Sequence, residues 1–423
     1  MIAPVYVDDL KLDPFWWDAA PRPKLLPEAL PAKTDVAIVG SGYTGLSAGL
    51  VVARAGRDVT IFDSEDLGWG ASSRNGGVIG GRMKISFSAL SEQRGQEMAL
   101  AIYREGRKAH DFTVDLIRGE GIDCDLVTHG RFMGARTAKD YDAMCRDAER
   151  MRKHLGIETA IVPRAEQHRE VGTDLYHGGV VRSVFSGIHP GRFHQGLLDR
   201  VRATPARLMP RTPVTGIERE RDGFSLDTPR GRVHARDIVI ATNGYTGTVT
   251  PWLRRRVMPI PSQIIVTEPL DKGVMDRLMP MRRMMGDSCK LHHYYRPSPD
   301  GLRIMFGGRA GAPYLYTEML RIFPELKGVR ITHSWSGNTG YTFDTLPHIG
   351  SHEGMHYAMG FCGSGVSMGT HMGNRIGQRI LGNQDAATAF DGLDFPTRPL
   401  YFGKPWFLPA ALAYYGLRDR LGI

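Results

Sequence analysis

A strand–glycine–helix–strand segment near the N-terminus limits the possible folds of this chain more than any other feature. The apolar run Val36-Ala37-Ile38-Val39 leads directly into Gly40-x-Gly42-x-x-Gly45 and a predicted helix. In such a unit the first glycine makes a tight turn, the second lets the backbone approach a pyrophosphate, and the third lets the helix pack closely on the strand. The strand Val59-Thr60-Ile61-Phe62 follows and ends at Asp63, which is placed to bind a ribose hydroxyl. The segment therefore predicts a dinucleotide-binding βαβ unit.

Composition excludes several other classes of protein. The 423 residues are 42% hydrophobic and 23% charged, close to the averages for soluble globular proteins, and the length suits two or three domains. The uncharged stretch from Val36 to Ala53 is long enough to be considered as a membrane span, but its central glycines make poor helix. The N-terminus has no basic start followed by an apolar run, so no secretory signal is expected.

Cysteine usage points to a reducing compartment. The four cysteines, Cys124, Cys145, Cys289 and Cys362, are far apart and form no Cys-x-x-Cys pair. This spacing indicates neither a disulfide framework nor a thiolate zinc site, and a cytoplasmic location fits best. His348, His352 and His356 recur every fourth residue, but Pro347, Gly350 and Gly354 interrupt any helix that would align them. We therefore expect no metal site.

The net charge of +9 favours anionic partners. A dinucleotide, an acidic substrate and a nucleic acid all meet that condition. The basic residues are otherwise spread along the chain, and the clusters at 254–256 and 282–283 are short. No basic stripe with interleaved aromatic residues is present, so no nucleic-acid partner is expected.

A second glycine-rich loop, Gly70-Ala71-Ser72-Ser73-Arg74-Asn75-Gly76-Gly77, follows Asp63 closely. Its small residues allow backbone N–H groups to reach an anion or a ring edge, and Arg74 can add a charge-assisted contact. On composition alone the loop also suits an ordinary polar turn.

Taken together, these motifs resemble the D-amino-acid oxidase superfamily, and within it the γ-glutamylputrescine oxidase branch. The resemblance is carried by the dinucleotide motif, the loop just described, Ile240-Ala241-Thr242-Asn243-Gly244-Tyr245, and the segment from Trp335 through Thr342-x-Asp344-x-x-Pro347-x-Ile349-Gly350. Phe15-Trp16-Trp17 and Pro405-Trp406-Phe407-Leu408-Pro409 extend it over nearly the whole chain. It implies FAD as the cofactor and a small amine or amino acid as the substrate, with O2 or another acceptor reoxidising the flavin.

The resemblance also implies a fold and its domain limits. We expect an α/β chain whose FAD-binding, Rossmann-like domain of the glutathione-reductase type is discontinuous, over 34–88, 190–250 and 333–400. A second α+β domain on a mixed or antiparallel sheet would take 89–189 and 251–332 and carry the substrate contacts. Residues 1–33 would be a lead-in and 401–423 a C-terminal tail, which could pack on its own domain, on a membrane surface or on a partner.

The same resemblance implies which residues hold FAD. The pyrophosphate would lie against the first glycine motif, the adenosine ribose against Asp63, the adenine against the backbone of Val214, and the flavin edge against the second glycine loop. The expected cofactor-binding residues are Gly40, Ser41, Gly42, Tyr43, Thr44, Gly45, Asp63, Ser64, Ser72, Ser73, Arg74, Asn75, Gly76, Gly77, Val214, Thr242, Asn243, Gly363, Ser364, Gly365 and Val366.

The last four of these residues belong to a third glycine motif, Gly360-Phe361-Cys362-Gly363-Ser364-Gly365-Val366. It precedes a predicted helix whose positive N-terminal end suits the N1–C2=O side of a reduced flavin. Relatives usually have Gly-His-Gly where this chain has Gly363-Ser364-Gly365. Any effect that this histidine has on the flavin is therefore not expected here. No Cys or His occupies the positions used for covalent attachment, and we expect non-covalent FAD.

Hydride transfer to a flavin requires mainly correct positioning of the substrate, so no acid–base dyad is expected. We place His293-Tyr294-Tyr295-Arg296 over the flavin ring, with Tyr295 and Arg296 as the candidate catalytic residues. Arg296 could pair with a substrate carboxylate, and strand alternation lets only one of Tyr294 and Tyr295 face the pocket. The same residues equally suit a strand packed between sheet and helix.

Two other functional hypotheses remain open at this stage. One is a flavoprotein that modifies an aminoalkyl group of a tRNA base, which the positive charge motivates. The other keeps FAD as a structural element without catalysis. Reduction of the flavin by an amine would separate these from amine oxidation, whereas the sequence does not indicate the oligomeric state.

Overall fold

Two large sheets form the framework of the protein. The structure, a computed structural model, describes residues 2–309 and 311–422. In chain order its strands are β1 (Tyr6–Lys11), β2 (Lys33–Val39), β3 (Val59–Phe62), β4 (Val78–Gly80), β5 (Arg131–Gly134), β6 (Thr159–Val162), β7 (Gly179–Arg182), β8 (Phe185–Gly187), β9 (Arg207–Met209), β10 (Gly216–Glu220), β11 (Gly223–Thr228), β12 (Gly231–Ile240), β13 (Met258–Thr267), β14 (Met284–Asp287), β15 (Tyr294–Pro297), β16 (Ile304–Gly308), β17 (Ile331–Tyr341), β18 (His348–His352) and β19 (Met355–Met359).

Helices cover the sheets and fill the space between them. They are α1 (Trp16–Ala19), α2 (Tyr43–Arg54), α3 (Ala71–Arg74), α4 (Phe87–Arg94), α5 (Gln96–Gly119), α6 (Ala138–Leu155), α7 (Pro190–Arg202), α8 (Pro251–Arg254), α9 (Lys272–Leu278), α10 (Ala312–Ile322), α11 (Gly365–Ile380) and α12 (Leu408–Leu421). Local sequence sets several of their ends. The side chain of Thr137 accepts a hydrogen bond from the backbone of Asp140 at the start of α6, and Gly156 ends that helix with φ of +61°.

The first sheet contains the predicted βαβ unit. Its main path runs β10-β11-β12-β2-β3-β9, and β19 pairs with β12 and with β18. The strands β12, β2, β3, β9 and β19 run parallel, and β10 and β11 form an antiparallel meander with β12. Residues of β2 and β3 are buried against α2, α5, α7 and α11 in the largest hydrophobic cluster. The α/β fold class is confirmed.

The second sheet has nine strands in the order β1-β17-β13-β16-β15-β14-β5-β7-β6. Most neighbours are antiparallel, whereas the β1–β17 and β14–β5 pairs are parallel, so the sheet is mixed as expected. One face packs on α9 and α10 around Phe306, Leu315 and Met319. The other face is turned toward the first sheet.

Several elements differ from the local sequence pattern. The stretch 90–155 has a largely helical spacing of apolar residues, but β5 interrupts it and pairs with β7 and β14. Charged residues break the apolar run between Arg232 and Ala241, yet Gly231–Ile240 form one ten-residue strand, β12. The sequence predicted that residues from 333 onward belong to the cofactor domain. Residues 331–341 instead form β17 of the second sheet, where they pair with β13 at ten positions.

Both chain ends are attached to the second sheet. The lead-in contributes β1, parallel to β17, and the fully buried Trp16 packs with Trp335, Ile264 and Val266. In the C-terminal tail, the Asp419 carboxylate accepts hydrogen bonds from the backbone N–H groups of Lys290 and Leu291, at 2.7 and 2.9 Å. The tail therefore packs on its own chain. Along the described parts of the sequence, no helix combines the length and apolar character needed to cross a membrane.

Candidate cofactor and active site

A cavity of about 1030 Å³ lies between the two sheets. Its first wall consists of the loops that follow β2, β3, β12 and β19, all at the carboxyl ends of parallel strands. Its second wall comes from β5, β13, β15 and β17 of the mixed sheet and from α6. Ligands of open α/β sheets bind at the carboxyl ends of the strands, so both the position and the size of the cavity suit a dinucleotide.

The glycine motif after β2 is tightly constrained by its neighbours. Gly40 has φ of +107°, a conformation that L side chains rarely adopt. At Gly45 a Cβ atom would lie 1.9 Å from the carbonyl oxygen of Gly40, so only glycine lets α2 approach the turn this closely. The first turn of α2 then aims free N–H groups at the cavity, an arrangement that binds phosphate.

Asp63 provides a buried acceptor at the end of β3. Its carboxylate accepts hydrogen bonds from the backbone N–H of Ser41 at 2.9 Å and from the Ser41 hydroxyl at 2.5 Å. Burial raises the pKa of Asp63, and the Ser41 hydrogen bonds oppose that rise. No Lys or Arg of the described chain forms an ion pair with this carboxylate, which leaves acceptor sites for a hydroxyl at the cavity surface.

Three tryptophan indoles hold the loop at 68–77 in place. Trp16 donates to the carbonyl of Asn75 at 2.8 Å, Trp335 to the carbonyl of Arg74 at 2.9 Å, and Trp17 to the hydroxyl of Ser73 at 2.9 Å. These indoles come from the lead-in and from β17. The sequence pattern did not reveal this function, although Trp16, Trp17 and Trp335 were part of the family resemblance.

The Arg74 guanidinium lies between the rings of Trp17 and Trp69. Its Cζ is 4.6 Å from the ring centre of Trp17 and 4.3 Å from that of Trp69. Its Nε donates to the carbonyl of Trp69 at 2.6 Å. The side chain is thereby fixed beside the cavity with part of its hydrogen-bonding capacity free.

The N-terminus of α11 forms the opposite end of the first wall. Gly363, Ser364, Gly365 and Val366 all line the cavity. The Ser364 hydroxyl donates to the carbonyl of Arg82 at 2.9 Å, and the side-chain oxygen of Asn243 accepts from the Gly360 N–H at 2.9 Å. These contacts fix the turn before a 16-residue helix whose positive end faces the cavity.

Most of the predicted cofactor residues come together in this cavity. All of them line it except Gly45, Ser73 and Gly77. Gly45 lies under the turn, the Ser73 hydroxyl donates to the Gly68 carbonyl at 2.5 Å, and the Gly77 carbonyl accepts from Arg296 at 2.9 Å. These three residues therefore shape the cavity walls from behind.

The placement of the candidate catalytic residues Tyr295 and Arg296 needs correction. Tyr294 lines the cavity, with its hydroxyl 3.0 Å from that of Ser262. Tyr295 is 1% exposed and lies on the other face of the sheet, because adjacent strand residues alternate. Arg296 is also buried and donates to the carbonyls of Gly77 and Ile188 at 2.9 and 2.8 Å. Neither residue reaches the cavity, so we do not assign a catalytic function to either.

Three cations on the second wall were not anticipated. Lys84, Arg131 and Arg309 line the cavity from segments that are distant in sequence. The Arg131 guanidinium contacts Nε2 of His292 at 3.0 Å, and that of Arg309 donates to the Tyr341 hydroxyl and lies over its ring. No local motif marks these residues, since only the tertiary fold brings them together.

One group of possible metal ligands occurs in the described part of the chain. Ligand atoms of Asp287, Cys289 and His293 lie within 4.8 Å of one another. However, the Asp287 carboxylate is already paired with Nδ1 of His293 at 2.8 Å and with Arg136 at 3.4 Å. Burial also raises the pKa of the Cys289 thiol, which therefore stays protonated. We interpret the group as a buried ion-pair network.

The fold and site together define the class of dinucleotide-binding α/β proteins, and comparisons with known proteins identify the family. Residues 35–379 match the family model described as FAD dependent oxidoreductase, abbreviated DAO. The chain belongs to this family and is an FAD-dependent oxidoreductase. The buried Asp63 acceptor, the constrained Gly40–Gly45 turn and the N-terminus of α11 fit the cofactor's ribose, pyrophosphate and electron-rich ring edge.

Relatives within the family cover most of the chain. It is 30% identical over 405 residues to γ-glutamylputrescine oxidoreductase of Escherichia coli K12, spanning 92% of this chain and 93% of that protein. It is 30% identical over 325 residues to the probable oxidoreductase OrdL of Rhizobium meliloti, covering 74% and 75%. The crystal structure of glycine oxidase from Geobacillus kaustophilus superposes with a TM-score of 0.74 at 22% identity, over 87% of this chain and 99% of that one. That similarity confirms the fold.

Proposed function

We propose that this enzyme oxidises the C–N bond of a small amine or amino acid, with FAD held non-covalently. The observation that carries the proposal is the shared cavity, in which the dinucleotide motifs meet the polar wall of the second sheet. The names of two relatives, γ-glutamylputrescine oxidoreductase and glycine oxidase, support an amine or amino acid as the substrate.

In this proposal the residues that line the first wall hold FAD. The N–H groups around Gly40–Gly45 bind the pyrophosphate, Asp63 the adenosine ribose, and the backbone of Val214 the adenine. The loop at 72–76 and the α11 N-terminus, 363–366, hold the flavin end. When bound, FAD supplies the two-electron acceptor for a hydride from the carbon next to nitrogen.

The second wall then binds the substrate and excludes water. Tyr294 is held by Ser262 and lies against Gly76 of the cofactor loop, so it can position a substrate beside that loop. Arg309, fixed on Tyr341, can pair with a substrate carboxylate. Loss of a hydride and a proton from the H–C–N–H unit leaves a C=N bond, which water hydrolyses to a carbonyl compound and an amine.

Anaerobic absorbance of the purified holoenzyme tests the proposal. Adding γ-glutamylputrescine, then free polyamines and amino acids, should bleach the flavin band with at least one of them. A band that bleaches only with dithionite would refute amine oxidation, and a protein that cannot take up FAD would refute the cofactor assignment. Re-admitting O2, or an artificial acceptor in its absence, then distinguishes an oxidase from a dehydrogenase. Acid precipitation should release all the flavin if it is non-covalent.

No described feature favours the tRNA-modifying alternative, and we do not propose it. A cytoplasmic location remains a prediction from cysteine usage. The oligomeric state is likewise left to measurement.

A further inference from the structure

The substrate wall of the cavity carries an excess of positive charge. Lys84, Arg131 and Arg309 line it, and within the described residues none of them forms an ion pair with a carboxylate. Arg131 is half-buried, and its buried Nε has no hydrogen-bond partner. A buried guanidinium without a counter-charge is costly, so a cavity that retains one is suited to an anion.

The acidic residues along the same wall do not compensate for this charge. Asp147 lies 3.4 Å from Arg82 and 4.0 Å from Arg182, so one carboxylate serves two further guanidiniums. Asp287 is already paired with His293 and Arg136. Asp140 accepts from the Ser288 hydroxyl at 2.8 Å and has no cation partner among the described residues, so it can offset only one of the three positive charges. Among the described residues, Lys84, Arg131 and Arg309 therefore have no carboxylate partner, although His292 and Tyr341 contact the two guanidiniums.

The cations also act on one another. Burial lowers the pKa of Lys84 to about 8, with further lowering by Arg309, Arg82 and Arg131. Burial, together with Lys84, Arg131 and Arg309, holds the pKa of His292 well below its usual value, so this imidazole stays neutral at their centre. Carboxylates of a ligand would relieve this repulsion, whereas an added ammonium would increase it.

We propose that the substrate is an acidic amine with at least two carboxylates, such as an acidic amino acid or a secondary amine joining two carboxylate-bearing carbons. This inference rests on the proposed C–N oxidation and narrows its substrate class. Asp140 offsets at most one of the three positive charges of Lys84, Arg131 and Arg309, so at least two remain, and a ligand with two carboxylates neutralises them where one carboxylate does not. A free diamine brings only positive charge and is disfavoured.

Binding of inert anions to the holoenzyme tests this charge preference without catalysis. Glutarate, butyrate and putrescine have chains of similar length with two carboxylates, one carboxylate and two ammonium groups, respectively. Each is titrated while the flavin absorbance is followed. Glutarate should bind about ten-fold or more tightly than butyrate, as expected for one additional charge-assisted pair. Equal binding of glutarate and butyrate, or tighter binding of putrescine, would overturn the inference.

Variants test whether the three cations cause the preference. Lys84→Gln and Arg309→Gln should each remove most of the advantage that glutarate has over butyrate. Arg104→Gln, on an exposed position of α5, is the matched control and should leave the preference unchanged. Because Arg131 is half-buried, Arg131→Gln is interpreted only if its flavin spectrum matches that of the wild type. A glutarate preference that persists in Lys84→Gln and Arg309→Gln would refute the assignment.

Flavin reduction by matched amines separates this inference from the proposed function. Iminodiacetate carries two carboxylates on its amine, N-methylglycine carries one, and putrescine has none. If iminodiacetate bleaches the flavin fastest, both the proposed C–N oxidation and the proposed acidic substrate class are supported. If putrescine or γ-glutamylputrescine bleaches the flavin and glutarate does not bind, the proposed C–N oxidation stands and the proposal of an acidic substrate is refuted. Glutarate binding through Lys84 with no bleaching by any amine keeps the anion site and refutes the proposed function.

Discussion

The hydroxyl groups of Tyr176 and Tyr295 lie 3.0 Å apart beneath the second sheet, whereas Tyr294, one residue earlier, faces the cavity. Adjacent positions of β15 thus belong to two different environments. Tyr295 stacks on Phe306 in the core, with ring centres 5.4 Å apart, and Tyr294 lies against the cofactor loop. The two tyrosines therefore form a matched pair for separating stability from activity.

Removing each hydroxyl should have opposite consequences. Tyr295→Phe leaves the buried hydroxyl of Tyr176 without this partner, so the free energy of unfolding should fall by about 1–2 kcal/mol while kcat and KM stay near wild type. Tyr294→Phe breaks the contact with Ser262 at the cavity surface and should change kcat/KM by about ten-fold with a smaller loss of stability. Denaturant unfolding and steady-state kinetics on both variants check this. The reverse pattern would return Tyr295 to the active site.

Anion binding should depend on the protonation of Lys84. The guanidiniums of Arg82, Arg131 and Arg309 face this amine and lower its pKa, and burial raises the pKa of the Cys362 thiol, which also faces it, to about 11. Lys84, with a pKa of about 8, is therefore the group that titrates near neutral pH.

Glutarate should bind most tightly below pH 8 and weaken by about ten-fold as the pH rises through 8, because the ammonium of Lys84 loses its charge. The flavin titration repeated between about pH 6.5 and 9 measures this. Lys84→Gln should remove the step, and an identical step in that variant would assign it to another group.

The carboxylate of Asp63 should set the affinity for FAD. Asp63→Asn keeps the size of the side chain but removes a charged acceptor, so FAD affinity should fall by about ten-fold to a hundred-fold. Equilibrium release of flavin, followed by its fluorescence, measures the change. Asp66→Asn is the control on the same loop. Asp66 pairs only with the half-exposed Arg211 at 2.6 Å, and its variant should bind FAD like wild type. Equal losses in both variants would mean that loop disorder, rather than the ribose contact, causes the effect.

The cofactor wall could be anticipated from sequence because its signals are local. The strand before Gly40, the glycine spacing and the acid at the end of β3 act within about 30 residues, which is the length of one βαβ unit. Thr242, Asn243 and 363–366 were added through the family resemblance and also line the cavity. Their functions toward FAD remain predictions.

The substrate wall was harder to anticipate because it is assembled by tertiary packing. Lys84, Arg131 and Arg309 are separated by 47 or more residues and carry no shared pattern, so each looks like an ordinary surface cation. For Tyr294 and Tyr295, alternation required a choice that local sequence did not determine, since both residues suit a strand equally well. Because one face of the sheet packs on α10, Tyr295 lies in the core and Tyr294 faces the cavity.

A buried ion pair next to the cavity leads to the last prediction, on stability. Asp287 and His293 are both fully buried and lie 2.8 Å apart, and Arg136 approaches the same carboxylate. Burial acts to raise the pKa of Asp287, but His293 and Arg136 hold it well below its usual range. Burial acts to lower the pKa of His293, and Asp287 holds it above its usual value.

Asp287→Asn should therefore lower the free energy of unfolding by about 3–5 kcal/mol near neutral pH, because it leaves the buried His293 without its counter-charge. Arg136 loses one carboxylate partner and keeps the other, Glu318, at 3.3 Å. The carboxylate has a lowered pKa in the folded state, so its contribution is present above about pH 4, the unfolded value, and is lost as the pH falls further. The histidine has a raised pKa, so its contribution is complete below about pH 6.5 and is lost as the pH rises through the folded value. Denaturant unfolding at several pH values should thus give the largest difference between wild type and variant in the window between these limits. Asp227→Asn, which breaks the exposed pair with Arg232, should leave stability unchanged within experimental error at every pH. A similarly small, pH-independent effect of Asp287→Asn would mean that the buried network contributes nothing to the fold.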